Sequence, residues 1–151
     1  MKKFYRIAPL LFSAVLFSCG TKVFMNVEEI PVPPQARAGS IEGRYEVGLD
    51  AATNTILAEL KKNYSNVGEK ILFLPAETDA ADIFAFYEPK MTEKGFSGDE
   101  SVPPEGKNYR QRVWRKDGWF GGEAAAVAVI DAGRDAQGQT VKFLAVFSAQ
   151  K

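Results

Sequence analysis

The chain has 151 residues, 19 basic and 19 acidic side chains, no histidine and one cysteine. Without histidine there is no Ser-His-Asp or Cys-His arrangement and no zinc or redox-metal cluster built from Cys and His, and one cysteine excludes an internal disulfide. Balanced charge leaves no basic surplus, so nucleic acid is not an expected partner.

Met1-Lys2-Lys3-Phe4-Tyr5-Arg6 is short and cationic, and residues 7–17 are apolar apart from Ser13, with Pro9 among them. A charged start and an apolar run of this length match an export signal. The run is shorter than the ~20 apolar residues of a spanning helix. It closes on Leu16-Phe17-Ser18-Cys19 rather than on the small residues of an ordinary cleavage site. That stretch resembles the bacterial lipobox: an aliphatic residue, a freer position, a small residue, then the cysteine, with Phe17 bulkier than the usual occupant. The resemblance implies a diacylglycerol thioether on Cys19, cleavage before it, and an N-acyl lipid on the new terminus. Two or more acyl chains anchor stably, at about 0.8 kcal/mol per buried CH₂. No other cofactor is expected. The competing reading, a small buried cysteine after an ordinary signal, explains only one of two agreeing features. The expected location is the bacterial cell envelope, lipid-anchored. Gly20 in place of Asp favours the outer membrane if the cell is Gram-negative.

Residues 1–18 are thus read as signal peptide, which leaves 133 residues with 16 basic and 19 acidic side chains, a net charge of −3. That length suits one domain. Residues 19–40 read as a lipidated tether and Pro-rich approach segment, extended by its prolines and spacing the domain from the membrane. Residues 41–151 read as the domain.

In residues 41–47, Ile41, Tyr45 and Val47 alternate with Glu42, Arg44 and Glu46, which predicts a half-buried strand. Asp50 could cap a helix over 51–64, whose apolar face is Ile56, Leu57, Leu60 and Tyr64. Residues 70–74 predict a buried strand before Pro75. A second helix follows, capped by Thr78 or Asp79, with the stripe Ile83, Phe86, Tyr87 and Met91. Pro89 predicts a kink or early end there, and Gly95 the stop. Residues 97–108 read as a polar loop. Three strands close the chain, 109–116, 123–131 and 141–148, joined by glycine-rich turns as two hairpins. The expected fold is α+β and two-layered: two helices on one face of a mainly antiparallel sheet of about five strands, ending in a three-stranded meander. Right-handed crossovers would put both helices on the same side.

"AFYEPKMTEKGF", residues 85–96, resembles a helix pattern of small bacterial lipoproteins of uncharacterised function: Phe-Tyr, an aliphatic residue four positions after the Tyr, then Gly-Trp. Phe86, Tyr87, Met91 and Gly95 match, and Phe96 stands where Trp is usual. "PVPPQAR", residues 31–37, also looks similar. The resemblance implies an α+β fold and a tethered location, and brings no catalytic residue.

The strongest local oddity is "NYRQRVWRKDGWFGGE", residues 108–123. Alternation puts Arg110, Arg112, Trp114 and Lys116 on one strand face, ahead of a turn holding Trp119 and Phe120. These six are the candidate contact for a ligand or partner. Arginines grip phosphate or carboxylate, and indoles stack on sugars or sit at lipid interfaces, so lipid headgroups, glycans or an envelope protein would suit. The favoured alternative is a solvated sheet face on which Arg stems and Trp114 cover each other. Glu77, Asp79 and Asp82 are better read as helix capping than as a calcium site, because no calcium-loop spacing is present. "GWFGG" lacks the Lys-Ser/Thr ending of a phosphate loop. No catalytic residue or metal site is assigned. The expected role is a membrane-anchored, non-enzymatic binding domain. The alternative is a small His-free envelope hydrolase using two Asp/Glu carboxylates about 5–9 Å apart.

Overall fold

The computed structural model describes residues 26–118 and 121–151. Cys19, Trp119 and Phe120 lie outside them. The fold is α+β: helices α1 (Gly43–Leu60) and α2 (Ala80–Glu93) pack on a five-stranded antiparallel sheet. Its strands are β1 (Asn66–Leu74), β2 (Ser97–Gly98), β3 (Tyr109–Lys116), β4 (Glu123–Arg134) and β5 (Thr140–Gln150), in the order β1-β5-β4-β3-β2. β3, β4 and β5 form the expected meander.

The segment 41–47 is not a strand. It enters α1, which starts at Gly43. Tyr45, Leu49, Ala52, Ile56 and Leu60 are all buried and recur every three or four residues, the helical period. Val47, assigned inward by alternation, is 78% exposed. Asp50 is therefore an exposed residue inside the helix and not its cap. Glu42 holds the N-cap position without a side-chain hydrogen bond. Gly48 sits where α1 crosses the sheet: a Cβ there would lie 2.8 Å from the Ala132 carbonyl oxygen.

The helices do not share a face. α1 packs on Val113, Ala124, Ala126, Ala128, Ile130, Phe143, Ala145 and Phe147. α2 packs on Leu72, Leu74, Trp114, Ala125, Val127, Val129, Leu144 and Val146. These sets alternate along each strand, so the sheet carries one helix on each side. The crossover rule fails here for a simple reason. Among the described residues no strand precedes α1, so only the connection from β1 through α2 to β2 is a crossover, and α1 is free to cover the other face. β4 is apolar on both sides and its alanines let both helices approach closely.

α2 matches expectation at both ends. Asp79 accepts a hydrogen bond from the Ala81 amide at 3.0 Å, and Gly95 takes a left-handed φ of +82° at the stop. The helix continues through Pro89. From Asn26 on, the approach segment is docked on the domain rather than a free spacer. Asn26 caps a 3₁₀ turn, Val27–Glu29, and Val27 and Ile30 are buried in the cluster between β1 and α2. Arg37 then forms a backbone bridge with Phe73 of β1. Two apolar residues three apart complete the core on α2's side of the sheet, where the 3₁₀ turn packs on β1 and β5, so the fold includes the chain from Asn26 on.

Candidate functional site

β3 shows the alternation its sequence predicts: Arg110, Arg112, Trp114 and Lys116 share one face. That face is occupied by α2. Trp114 is fully buried, and its indole Nε1 donates to Glu88 Oε2 at 3.2 Å. The same oxygen accepts from Arg112 Nε at 2.9 Å, and the Arg112 guanidinium lies 5.9 Å from the Trp114 ring. Arg110 Nη1 stands 4.0 Å from Asp79 Oδ1 at the start of α2. Lys116 Nζ donates to the Lys94 carbonyl at 3.0 Å, just past its C-terminus, and lies 5.8 Å from the Phe96 ring. A cation there also complements the helix dipole.

The four residues therefore seat α2 along the length of β3. Trp114 is no stacking platform, and the face is not the solvated one expected. Arg110 and Arg112 keep outward surface, with side chains 60% and 47% exposed. Ion pairs this open contribute about 0.2–1 kcal/mol each.

Sequence reasoning missed a groove beside those arginines. β2 covers only Trp114 and Arg115 of β3. The following loop bonds β3 at Asp99, whose amide donates to the Val113 carbonyl, and again at Pro104, whose carbonyl accepts from the Gln111 amide at 2.7 Å. Between these points the chain bows away. The space left is about 310 Å³, lined by Phe84 of α2, Val102, Pro104, Gln111 and Val113, together with Arg110 and Arg112 of β3 and Glu100 and Glu105 of the loop. Gln111 Nε2 donates to the Pro103 carbonyl at 2.8 Å, and its Oε1 is buried without a partner among the described residues. Prolines have no N–H, so Pro103 and Pro104 can only accept, and Gln111 supplies both donors. That pairing, a glutamine on an inward strand position facing "VPP", is the one signal the sequence held.

Asp99 closes the groove at its β2 end. The Ser101 hydroxyl, 2.6 Å away, holds its carboxyl below the usual range against some burial; the Ser101 amide and Arg115 add to the effect.

A second, polar cleft of about 470 Å³ lies at the start of α2, among Glu77, Asp79, Glu105, Asp131, Lys107, Arg110 and Lys142. Asp79 serves there as the helix cap, as its position predicts, and Asp82 is exposed in the first turn. Lys142 Nζ donates to the Thr78 carbonyl at 2.7 Å. Among the described residues no group of His, Cys, Asp and Glu is arranged to hold a metal, and no helix is long and apolar enough to cross a membrane. No family model matches the chain, and no curated protein and no solved structure matches it.

Proposed function

We propose that the protein is a lipid-anchored binding domain of the bacterial envelope, acylated at Cys19, that takes a short peptide segment of an envelope partner in the groove beside β3. The observation that carries this reading is the groove itself. Its lining joins the apolar Phe84, Val102 and Pro104 with a cationic wall of Arg110 and Arg112, neighbours on one face of β3, and with the acidic Glu100 and Glu105 of the loop. Such a surface suits an apolar side chain flanked by charges of both signs. Its volume, at the low end for a small-molecule site, suits one or two side chains rather than a large cofactor. The hydrolase reading would have its carboxylates in the polar cleft. There Asp79 is already spent on capping, which favours binding over catalysis.

The test is a photo-crosslinking residue in place of Phe84 in living cells, with adducts identified by mass spectrometry. One recurrent protein adduct is expected, weakened by Arg110→Glu, which reverses the open cationic wall. Adducts only to lipid, or an adduct indifferent to Arg110→Glu, would refute the groove as the contact. Labelled palmitate should enter the wild-type chain and not Cys19→Ala; label in neither would remove the anchor.

A further inference from the structure

The described chain starts close to one end of the sheet. Asn26 lies with Lys61, Asn66 and Gln150 around a shallow polar hollow. Val27 packs where Gly68 lacks a side chain, Glu28 pairs with Lys70 at 2.8 Å, and Arg37 bridges Phe73. The segment therefore climbs β1 from its first residue toward its last. Register places Asn66 opposite Gln150, Gln150 opposite Glu123, and Glu123 opposite Lys116. The Ser65 amide donates to the Gln150 carbonyl, and Lys116 reaches Lys94. One end of the domain thus gathers the end of α1, the end of α2, the end of β3, the start of β4 and the first described residue, Asn26. The β4–β5 turn, Asn108 and the polar cleft lie at the other end.

Six residues, 20–25, separate Cys19 from Asn26. Seven Cα steps span at most about 25 Å fully extended. β1 has nine residues, so the two ends of the sheet stand about 30 Å apart. A domain inverted on the membrane would hold Asn26 farther from the bilayer than this tether reaches. Resting on the acylation of Cys19 proposed above, we infer that the end carrying Lys61, Asn66, Lys116 and Gln150 is a bilayer-facing surface, and that the polar cleft points away from the lipid. Lys61, Lys94, Lys116 and Lys151 share that end with Glu93, Asp117 and Glu123, so tether length rather than charge sets the orientation.

The experiment uses the lipidated full chain in phosphatidylethanolamine/phosphatidylglycerol vesicles with a headgroup-attached nitroxide quencher. Cys19 is the native cysteine and its sulfur is acylated, so an introduced cysteine is the sole thiol for a fluorophore. Labels at Asn66→Cys and Lys116→Cys should be quenched several-fold more than a label at Gln137→Cys in the β4–β5 turn, with little change between 0.05 and 0.5 M salt. Equal quenching at all three sites, or stronger quenching at position 137, overturns the orientation while leaving the anchor intact. Loss of the difference in high salt overturns the tether as its cause. The mass of the N-terminal peptide is read first. A peptide without acyl groups overturns the Cys19 reading, and this inference with it.

Discussion

Glu88 is the residue on which the seating of α2 is best tested. Its Oε2 accepts from both Trp114 Nε1 and Arg112 Nε. Glu88→Ala leaves a fully buried indole N–H without its partner, a cost of about 1–3 kcal/mol. It also removes a half-exposed ion pair, about 0.2–1 kcal/mol. The expected loss is about 2 kcal/mol. For a domain of this size that lowers the melting temperature by about 6–10 °C. Glu88→Gln keeps an acceptor and the packing, and should lose under about 1 kcal/mol. The discriminating measurement is a double-mutant cycle with Trp114→Phe, read by urea unfolding with circular dichroism. Phenylalanine has no N–H to strand, so in that background Glu88→Ala should cost only the ion pair. A coupling of about 1–2 kcal/mol is expected. If Glu88→Ala costs the same in both backgrounds, the indole bond is not what holds α2 to β3.

Tyr87 is fully buried on the sheet-facing side of α2, its hydroxyl has no partner among the described residues, and burial pushes the phenol far above its usual range. Tyr87→Phe should therefore be neutral or stabilising by up to about 1 kcal/mol in chemical denaturation, because it removes a stranded polar group and little volume. Gly48→Ala tests the close crossing of α1. Helix propensity alone predicts a gain of about 1 kcal/mol, but the new methyl would press on the Ala132 backbone. A net loss of about 1–3 kcal/mol is expected in thermal melts, and a gain would show that α1 can lift off β4 freely. Asp99 gives a pH dependence. Its folded carboxyl is held below its unfolded value of about 3.9, so the ionised form stabilises the fold fully above that pH and loses the effect as pH falls through the lower folded value. The stability advantage of the wild type over Asp99→Asn should be flat near neutrality and shrink on acidification below about pH 4. An advantage that grows with acid would reverse the assigned sign.

How much of this was legible depends on what each stretch constrains. β3, β4 and β5 were readable because alternation and glycine turns constrain both ends of a strand. Residues 41–47 were not, because seven residues fit a period of 2 and a period of 3.6 about equally well. Only the burial of Tyr45 and Leu49 with Val47 left outside decides between them. The error then spread, since a false first strand invited a crossover and put both helices on one side. Yet the sequence contained the remedy. Residues 124–130, all apolar and all buried, cannot belong to a sheet with one wet face. The central strands announce two covers, while edge strand β1 carries Glu69 and Lys70 and β3, covered by β2 only at Trp114 and Arg115, carries three arginines and a lysine, charges that blunt exposed strand edges.

The candidate site divides along the same line. That Arg110, Arg112, Trp114 and Lys116 share a face follows from strand geometry alone. What lies on that face is a tertiary fact, set by where α2 lands. The groove depends on the path of a loop, which no period encodes. The two are also coupled. Phe84 and Glu88 stand one helical turn apart on α2, so the carboxylate that fixes the helix on Trp114 also sets where Phe84 stands over the groove. A binding defect in Glu88→Ala would therefore follow from a displaced wall as readily as from a lost contact. Arg110→Glu turns a 4.0 Å pair between exposed side chains into a like-charge contact with Asp79, a solvent-screened change of at most about 1 kcal/mol. A binding defect there far larger than the small shift in unfolding midpoint isolates recognition from the fold.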